Sequence, residues 1–508
     1  MPRTNNKEMG EPPLYDVVII GAGVTGCAVA REVSRQNWRT LILDQNLEPG
    51  EATSKANSAI VHAGYDCEVG TLKAKLNVRG AQRIPKLAQM LDFPYEPTGS
   101  LVLAFTPDEE AVLQALLQRG RANGVEGLSL LSRQEVLALE GALSDEVRGA
   151  LLCTSAGIVC PFAMTLAFLE NAMANGVIFQ RDRQVLNIIP HSDGFLLETS
   201  QGPLQTRTVV NAAGIHAADL GAMVGDHEYT IHPRKGEYRL LDRSEGAMVS
   251  HVIFQAPTPL GKGVLVTPTV HGNLMIGPNS VAVSEEEFLK DTTPSGLAQI
   301  DALARRSVPG LRLQKTIRVF SGLRATPDTG DFMIYESRQS PGFFHAGGIE
   351  SPGLASSPAI GEMVYELMCR SGRLPEDPKE HWISERRGIP NFSHMSAEQK
   401  KAAIAEDPAW GHVVCRCETV TEKEILLALR SPAAAITMDG VKRRVRPGMG
   451  RCQGTFCGPK VMALLAAEQG IPITQVLKDS KGSAILRART KEELGRERKD
   501  GRWNQDEE

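Results

Sequence analysis

The chain has 508 residues, 42% of them hydrophobic and 23% charged, which is the composition of a folded globular protein and excludes disorder throughout. Lys and Arg number 56 against 60 Asp and Glu, a formal charge of −4, so the charge balance makes no case for nucleic-acid binding. Forty-eight glycines beside 5% aromatics favour an α/β enzyme over an all-β sandwich, and the length corresponds to about three domains. No apolar run reaches the about 18 residues of a membrane-spanning helix, and the short apolar stretch 17–20 lacks the length and cleavage site of a signal peptide. A cytoplasmic location is expected, with peripheral membrane association through a partner left open.

In chain order, the first dozen residues, ending in Pro12 and Pro13, read as a disordered lead-in. Residues 15–20 are rich in β-branched side chains and predict a short buried strand. Gly21-Ala22-Gly23-Val24-Thr25-Gly26 follows at once, and residues 27–34 have helical periodicity. This is the strand–turn–helix setting that a G-x-G-x-x-G phosphate loop requires. Gly21 makes the tight turn, Gly23 admits a pyrophosphate to the backbone and Gly26 lets helix and strand pack closely. The helix start then offers free N–H groups and partial positive charge to phosphate. A second strand over 40–43 ends in Asp44, placed to accept hydrogen bonds from a ribose. The fingerprint by itself does not separate NAD from FAD.

Further along, Thr53-Ser54-Lys55-Ala56-Asn57-Ser58 is a polar, small-residue loop that leads through Ala59-Ile60-Val61 to His62-Ala63-Gly64. Residues 209–214 run from a strand into the small-residue turn at Ala213 and Gly214, and residues 264–267 and 274–277 read as strands. Phe343 through Ala355 leads into a helix expected over 357–370. Residues 376–408, with Pro378, Pro390 and Pro408, read as a structured linker holding a polar helix near 396–405. Residues 488–508 are a charged tail, expected to be solvated.

Nine cysteines divide by position. Cys27, Cys67, Cys153, Cys160 and Cys369 are scattered and read as small packing residues. Cys415, Cys417, Cys452 and Cys457 form C-x-C-x34-C-x4-C. Four thiolates there suit zinc or a [2Fe–2S] cluster. Zinc ribbons prefer C-x2-C knuckles, and a redox disulfide needs two cysteines rather than four. Thr421, with Glu424 three residues on, caps a helix expected over 421–430, and another is expected over 458–469.

The loop 53–65 resembles that of the FAD-dependent D-amino-acid oxidase superfamily, and within it the glycerol-3-phosphate dehydrogenase and L-2-hydroxyglutarate oxidase group. The likeness extends over about residues 14–375. It implies an α/β fold: a Rossmann-like FAD domain (14–78, 153–225 and 323–375) interrupted by an antiparallel-sheet substrate domain (79–152 and 226–322). Contacts to FAD are implied for Gly21, Gly23, Gly26, Asp44, Thr53, Ser54, Asn57, Ser58, Val185, Ala213, Gly214, Gly347, Gly348, Ser351, Gly353 and Leu354. The helix after Gly353 is implied to aim its start at the flavin pyrimidine. Arg324, in Ser321-Gly322-Leu323-Arg324, is implied to clamp an anionic substrate group, where a guanidinium fixes orientation as well as charge. Tyr238 is implied to face the substrate, and His62 is a candidate general base or flavin hydrogen-bond partner. The adjacent Arg234 and Lys235 could supply a phosphate site; one is expected inside and one solvated, and Lys235 is the candidate for holding phosphate. His232 and His345 read as structural. The segment Arg446 to Gly454 resembles the bacterioferritin-associated-ferredoxin type of [2Fe–2S] domain, which implies a cluster domain over 409–487 held by Cys415, Cys417, Cys452 and Cys457.

Together these imply an FAD-dependent dehydrogenase for a small anionic secondary alcohol, passing single electrons through the cluster to an acceptor protein. Glycerol 3-phosphate is the first expected substrate, a 2-hydroxy acid such as L-2-hydroxyglutarate the second, and an amine or imino acid the third. A non-catalytic electron-transfer subunit and a structural zinc protein are the competing classes.

Overall fold

The β-branched run before Gly21 forms strand Leu14–Ile20, and Val17 to Ile20 are buried on both faces, as a central parallel strand requires. The computed structural model describes residues 12–257, 263–283 and 291–488. The expected lead-in and charged tail lie outside them, save for Pro12 and Ala488. The chain divides into two compact units, residues 1–388 and 389–508.

In the first unit, Leu14–Ile20 pairs in parallel with Thr40–Leu43 on one side and Leu204–Asn211 on the other. Leu204–Asn211 also pairs in parallel with Phe343–Gly347, so chain segments about 190 and 330 residues beyond the fingerprint close on it. The antiparallel pair Val185–His191 and Gly194–Thr199 extends this eight-stranded sheet. Helix Val24–Val33 packs on helices Pro161–Ala174 and Gly353–Ser371. The last begins four residues earlier than its expected start, so Gly353 and Leu354 belong to its first turn. Full burial of side chains such as Phe168, Phe343 and Phe344 stabilises this core by roughly 2–3 kcal/mol each.

Both expected insertions join one nine-stranded sheet. Its spine is Arg234–Leu241, paired antiparallel with Thr316–Arg324 along almost its full length. The parallel pairing of Val252–Gln255 with Ser100–Ala104 draws in the first insertion. The expected strands appear as Val266–Pro268 and Leu274–Ile276. The expected boundary at residue 79 falls inside helix Leu72–Leu91, which packs on helix Gly353–Ser371. The expected linker also divides. Residues 376–388 are tied to the first unit, through Trp382 Nε1 to Ser34 Oγ at 3.0 Å and Arg386 Nε to Glu170 Oε2 at 2.7 Å.

Among its described residues the second unit holds a hairpin of Val413–Cys415 and Val420–Thr421 and four α-helices, Ala397–Glu406, Glu422–Arg430, Met438–Val445 and Gly458–Gln469. Thr421 and Glu424 make the expected reciprocal cap, and Ser396 with Gln399 makes another ahead of helix Ala397–Glu406. Ile425, Ala428, Val441 and Leu465 form a core fully shielded from solvent. Helix Met438–Val445 has no counterpart among the expected elements.

Candidate functional sites

The phosphate loop is locked by backbone approach. Gly21 sits at φ +105°, in the left-handed region that favours glycine, and a Cβ there would stand 2.4 Å from the Ala212 carbonyl oxygen. A Cβ on Gly26 would stand 1.9 Å from the Gly21 carbonyl oxygen. At Gly23 the nearest atom is the end of a side chain, Ser54 Oγ at 3.3 Å, so this face of the loop is open to a ligand. Asp44 Oδ2 accepts from the Ala22 N–H at 2.8 Å, and Oδ1 from the Asn46 N–H at 2.8 Å. Burial pushes the Asp44 carboxyl above its usual range, while the N–H groups of Asn46 and Ala22 pull against it.

These groups border a cavity of about 1410 Å³. Of the expected flavin residues, Gly21, Gly23, Asp44, Thr53, Ser54, Asn57, Ser58, Val185, Ala213, Gly214, Ser351, Gly353 and Leu354 line it. Gly26, Gly347 and Gly348 are not in its wall; they let backbone and neighbouring side chains pass closely, Gly347 lying under the ring of Tyr229. Ser54 Oγ accepts from the Val24 N–H at 2.9 Å, fixing the polar loop against the helix start. Asn57 turns inward, donating to the carbonyls of Thr53 and Ser54 and accepting from the Ala59 N–H. A phosphate loop, a carboxylate and the start of a long helix thus line one cavity, which is the donor set a dinucleotide needs. The residues present therefore fit FAD.

The cap sheet contributes another wall. A Cβ on Gly322 would stand 2.0 Å from the Ala56 carbonyl oxygen, so only glycine lets this strand lie on the polar loop. Thr53 Oγ1 donates to the Leu323 carbonyl at 2.6 Å in the same place. Arg324, Tyr238 and His62 all line the cavity. Arg324 donates to the Asn279 carbonyl at 3.2 Å and reaches Ser280 Oγ at 3.5 Å. The Tyr238 ring stacks on Phe320, centroids 4.7 Å apart and planes 8° from parallel. The ring of His62 lies 5.5 Å from that of Phe254, and its carbonyl accepts from Asn77.

Lys235, expected at the substrate, is placed elsewhere. Its Nζ donates to the Asp291 carbonyl at 2.9 Å and lies 3.7 Å from Glu237, away from the cavity wall. Strand alternation is the reason: 234, 236 and 238 share one face, and 235 and 237 the other. The cavity-facing member of the basic pair is Arg234, directly opposite Arg324 in the sheet, with Nε 3.0 Å from the same Ser280 Oγ. The sequence offered both basic residues for a phosphate site and favoured Lys235, although the four-residue, even-numbered spacing of Arg234 from Tyr238 on a strand carried the signal. Asn279, Ser280 and Phe320 had no motif to mark them.

Cys415 and Cys457 are buried, Cys452 is partly exposed and Cys417 exposed. Their sulfurs fall in two hydrogen-bonded pairs, Cys415 with Cys457 and Cys417 with Cys452. Cys415 is held down to about 6, first by the hydrogen bond with Cys457 and then by the N–H groups of Gly448 and Glu418 that oppose its burial. The Phe456 N–H, then that of Gly454, keeps Cys452 below the ordinary thiol range. A Cβ on Gly450 would stand 2.4 Å from Cys417 Cβ, which fixes glycine there. Among the described residues no three His, Cys, Asp or Glu side chains converge on one metal position. Two pairs of thiols lined by N–H donors suit two irons, each taking two thiolates. Cys27 is fully buried, and burial pushes its thiol up, as befits packing.

Comparison with known proteins agrees with both cofactors. Residues 16–367 match the family of FAD dependent oxidoreductases, and residues 413–467 match the BFD-like [2Fe-2S] binding domain. A glycerol 3-phosphate dehydrogenase of Caloramator mitchellensis is 44% identical over 95% of this chain and 100% of its own length. A glycerol 3-phosphate oxidase of Mycoplasma genitalium is 32% identical over 70% of this chain and 94% of its own. The dithionite-reduced, FAD-bound L-alpha-glycerophosphate oxidase of Mycoplasma pneumoniae is similar in structure, with a TM-score of 0.70 at 28% identity, over 74% of this chain and 99% of that one.

Proposed function

This chain belongs to the FAD-dependent oxidoreductase family and carries a BFD-like [2Fe–2S] domain, and on that premise we propose that it oxidises sn-glycerol 3-phosphate at its secondary alcohol and delivers the electrons one at a time to an acceptor protein. The observation that carries the substrate is the pair Arg234 and Arg324, neighbours across two strands and both in the cavity wall. Two guanidiniums sharing Ser280 offer more charge and more donors than a single carboxylate uses, and they match a phosphate dianion.

When bound, FAD supplies the acceptor for the electron pair of the C–H bond and the [2Fe–2S] cluster a one-electron outlet. The chain's own residues hold the rest of the reaction. Arg324 and Arg234 fix the phosphate and so set where the middle carbon lies. His62 takes the hydroxyl proton on a ring nitrogen, leaving the carbonyl of the ketone. The stacked Tyr238 and Phe320, with Phe254 beside His62, keep that end of the cavity apolar and limit water. Because Arg324, Tyr238 and His62 line one cavity, a catalytic chain is favoured over a bare electron-transfer subunit.

The dehydrogenase reading is supported by how far each relative extends. The protein named a dehydrogenase matches across 95% of this chain, whereas the one named an oxidase is 94% spanned by 70% of it. Anaerobic bleaching of the flavin tests the substrate directly. Glycerol 3-phosphate should bleach it at micromolar to millimolar concentration, and L-2-hydroxyglutarate and imino acids should not. Bleaching by a 2-hydroxy acid in preference to glycerol 3-phosphate overturns the proposal.

A further inference from the structure

The second unit carries a surface that the reaction does not use. Phe456, between the third and fourth ligand cysteines, is 79% exposed, the most exposed of the large apolar side chains among the described residues. It lies next to Cys457, and its own N–H holds Cys452. An aromatic left in water beside a redox centre is the form of an interface anchor, since Phe, Tyr and Trp supply much of the binding energy where two proteins meet.

Along the chain beside the ligand cysteines, the exposed charges have one sign. Within four residues of any ligand cysteine, the exposed Lys, Arg, Asp and Glu side chains are Arg416, Arg451 and Lys460. The acid in that range, Glu418, is buried and paired with Arg446 at 2.8 Å. The described part of this unit, residues 389–488, has fourteen Lys and Arg against nine Asp and Glu, although the whole chain is slightly acidic. Cys417 is itself exposed, so this is also the face through which an electron reaches solvent by the shortest path.

We propose that Phe456 and the basic rim of Arg416, Arg451 and Lys460 form the docking surface for an acidic one-electron carrier protein, which receives electrons from the cluster through the exposed edge at Cys417 and Cys452. The proposal rests on the cluster being the electron outlet. Charge complementarity steers the encounter, and the aromatic holds the docked pair while one electron leaves the reduced cluster for the oxidised carrier. No bond is made or broken, and two carriers are reduced for each alcohol oxidised.

The test uses the full-length holoenzyme with glycerol 3-phosphate and two protein probes, cytochrome b5, which is acidic, and cytochrome c, which is basic. A small dye that takes electrons from the flavin serves as control. The double variant Arg416→Glu, Lys460→Glu should lower kcat/KM for cytochrome b5 by about tenfold or more and raise it for cytochrome c, with the dye rate and cluster spectrum unchanged. Phe456→Ala should lower kcat/KM for cytochrome b5 by about tenfold with weaker effect of salt than the charge reversal. Comparing each probe only with itself removes the difference in their potentials. Unchanged cytochrome b5 rates in both variants, beside an intact dye rate, overturn the docking surface while leaving the outlet in place. Loss of protein-coupled activity only when the cluster is removed, with neither charge reversal nor Phe456→Ala affecting it, has the same meaning. If glycerol 3-phosphate supports no dye reduction either, it is the substrate reading that fails. A shift of the wild type, but not of Phe456→Ala, to a dimer mass in solution would assign the face to a second copy of this chain and overturn the proposal.

Discussion

The two units treat their cofactor sites in opposite ways. In the first, the phosphate loop, the polar loop and the cap strand close on one another through backbone contacts, and the candidate substrate side chains line a cavity. In the second, two of the four candidate ligand cysteines reach solvent, and the loop between two of the four presents an aromatic ring to water. Two-electron chemistry on a carbon needs water excluded and a substrate held, which favours enclosure. Passing single electrons to another protein needs proximity and little else, which favours exposure. The contrast lies in what each step demands rather than in the size of the units.

The most severe way to probe this contrast is to strike the enclosed site at its backbone. Gly26→Ala drives a methyl onto the Gly21 carbonyl, where no side chain can yield. It should destabilise the flavin site by about 3 kcal/mol or more and yield protein without flavin absorption. Because the second unit has a core of its own, iron and cluster absorption should persist. Loss of both would mean that the units do not fold independently. The reciprocal change, Cys452→Ser, should remove the cluster and electron delivery to protein acceptors, while glycerol 3-phosphate still bleaches the flavin under anaerobic conditions.

Within the cavity, Arg324→Ala should reduce kcat/KM by about 10² to 10³, and Arg234→Ala by about tenfold, both with flavin retained. Equal losses for a substrate lacking the phosphate would remove these arginines from the anion site. The smallest effect concerns pH. His345 is fully shielded under the sheet, its Nδ1 3.1 Å from Tyr229 Oη and its Nε2 3.4 Å from Asp226. Burial lowers the ring from 6.5 to about 4, against the upward pull of Asp226. Between these values the unfolded chain binds a proton that the folded ring refuses, so stability falls as pH drops through this window and is level above it. The slope is at most about 1.4 kcal/mol per pH unit. His345→Gln should flatten the fall of the first unit's melting temperature between pH 6.5 and 5, whereas an unaltered fall would assign the acid sensitivity to other groups.

Much of this molecule was legible in its sequence wherever a short segment carries its own physical reason. The fingerprint glycines, Asp44 and the cap at Thr421 and Glu424 are local signals, and each appears where its spacing requires. Positions set by strand pairing were less legible. Lys235 and Tyr238 both looked suited to a substrate, yet an odd separation puts them on opposite faces of one strand. Arg234 gained preference over Lys235 once its partner across the sheet was known to be Arg324, 90 residues away. Helix Met438–Val445 was missed because its basic last turn and short length hide the apolar pair Val441 and Val445. The capping Thr437, which accepts from the Gly440 N–H at 2.9 Å, was its available signal.

One contact has a thermodynamic meaning beyond its geometry. Thr53 in the polar loop is bound to the carbonyl of Leu323, and the next residue along that strand is Arg324. Under the proposed function the same few atoms belong to the floor on which a dinucleotide rests and to the hinge of the anion clamp. Whatever orders one end of this link lowers the entropy still to be lost at the other, and such coupling is reciprocal. A phosphate-bearing ligand should therefore tighten the binding of FAD by the same factor by which FAD strengthens the grip on that ligand. Saturation with substrate then becomes a means by which the chain retains its cofactor.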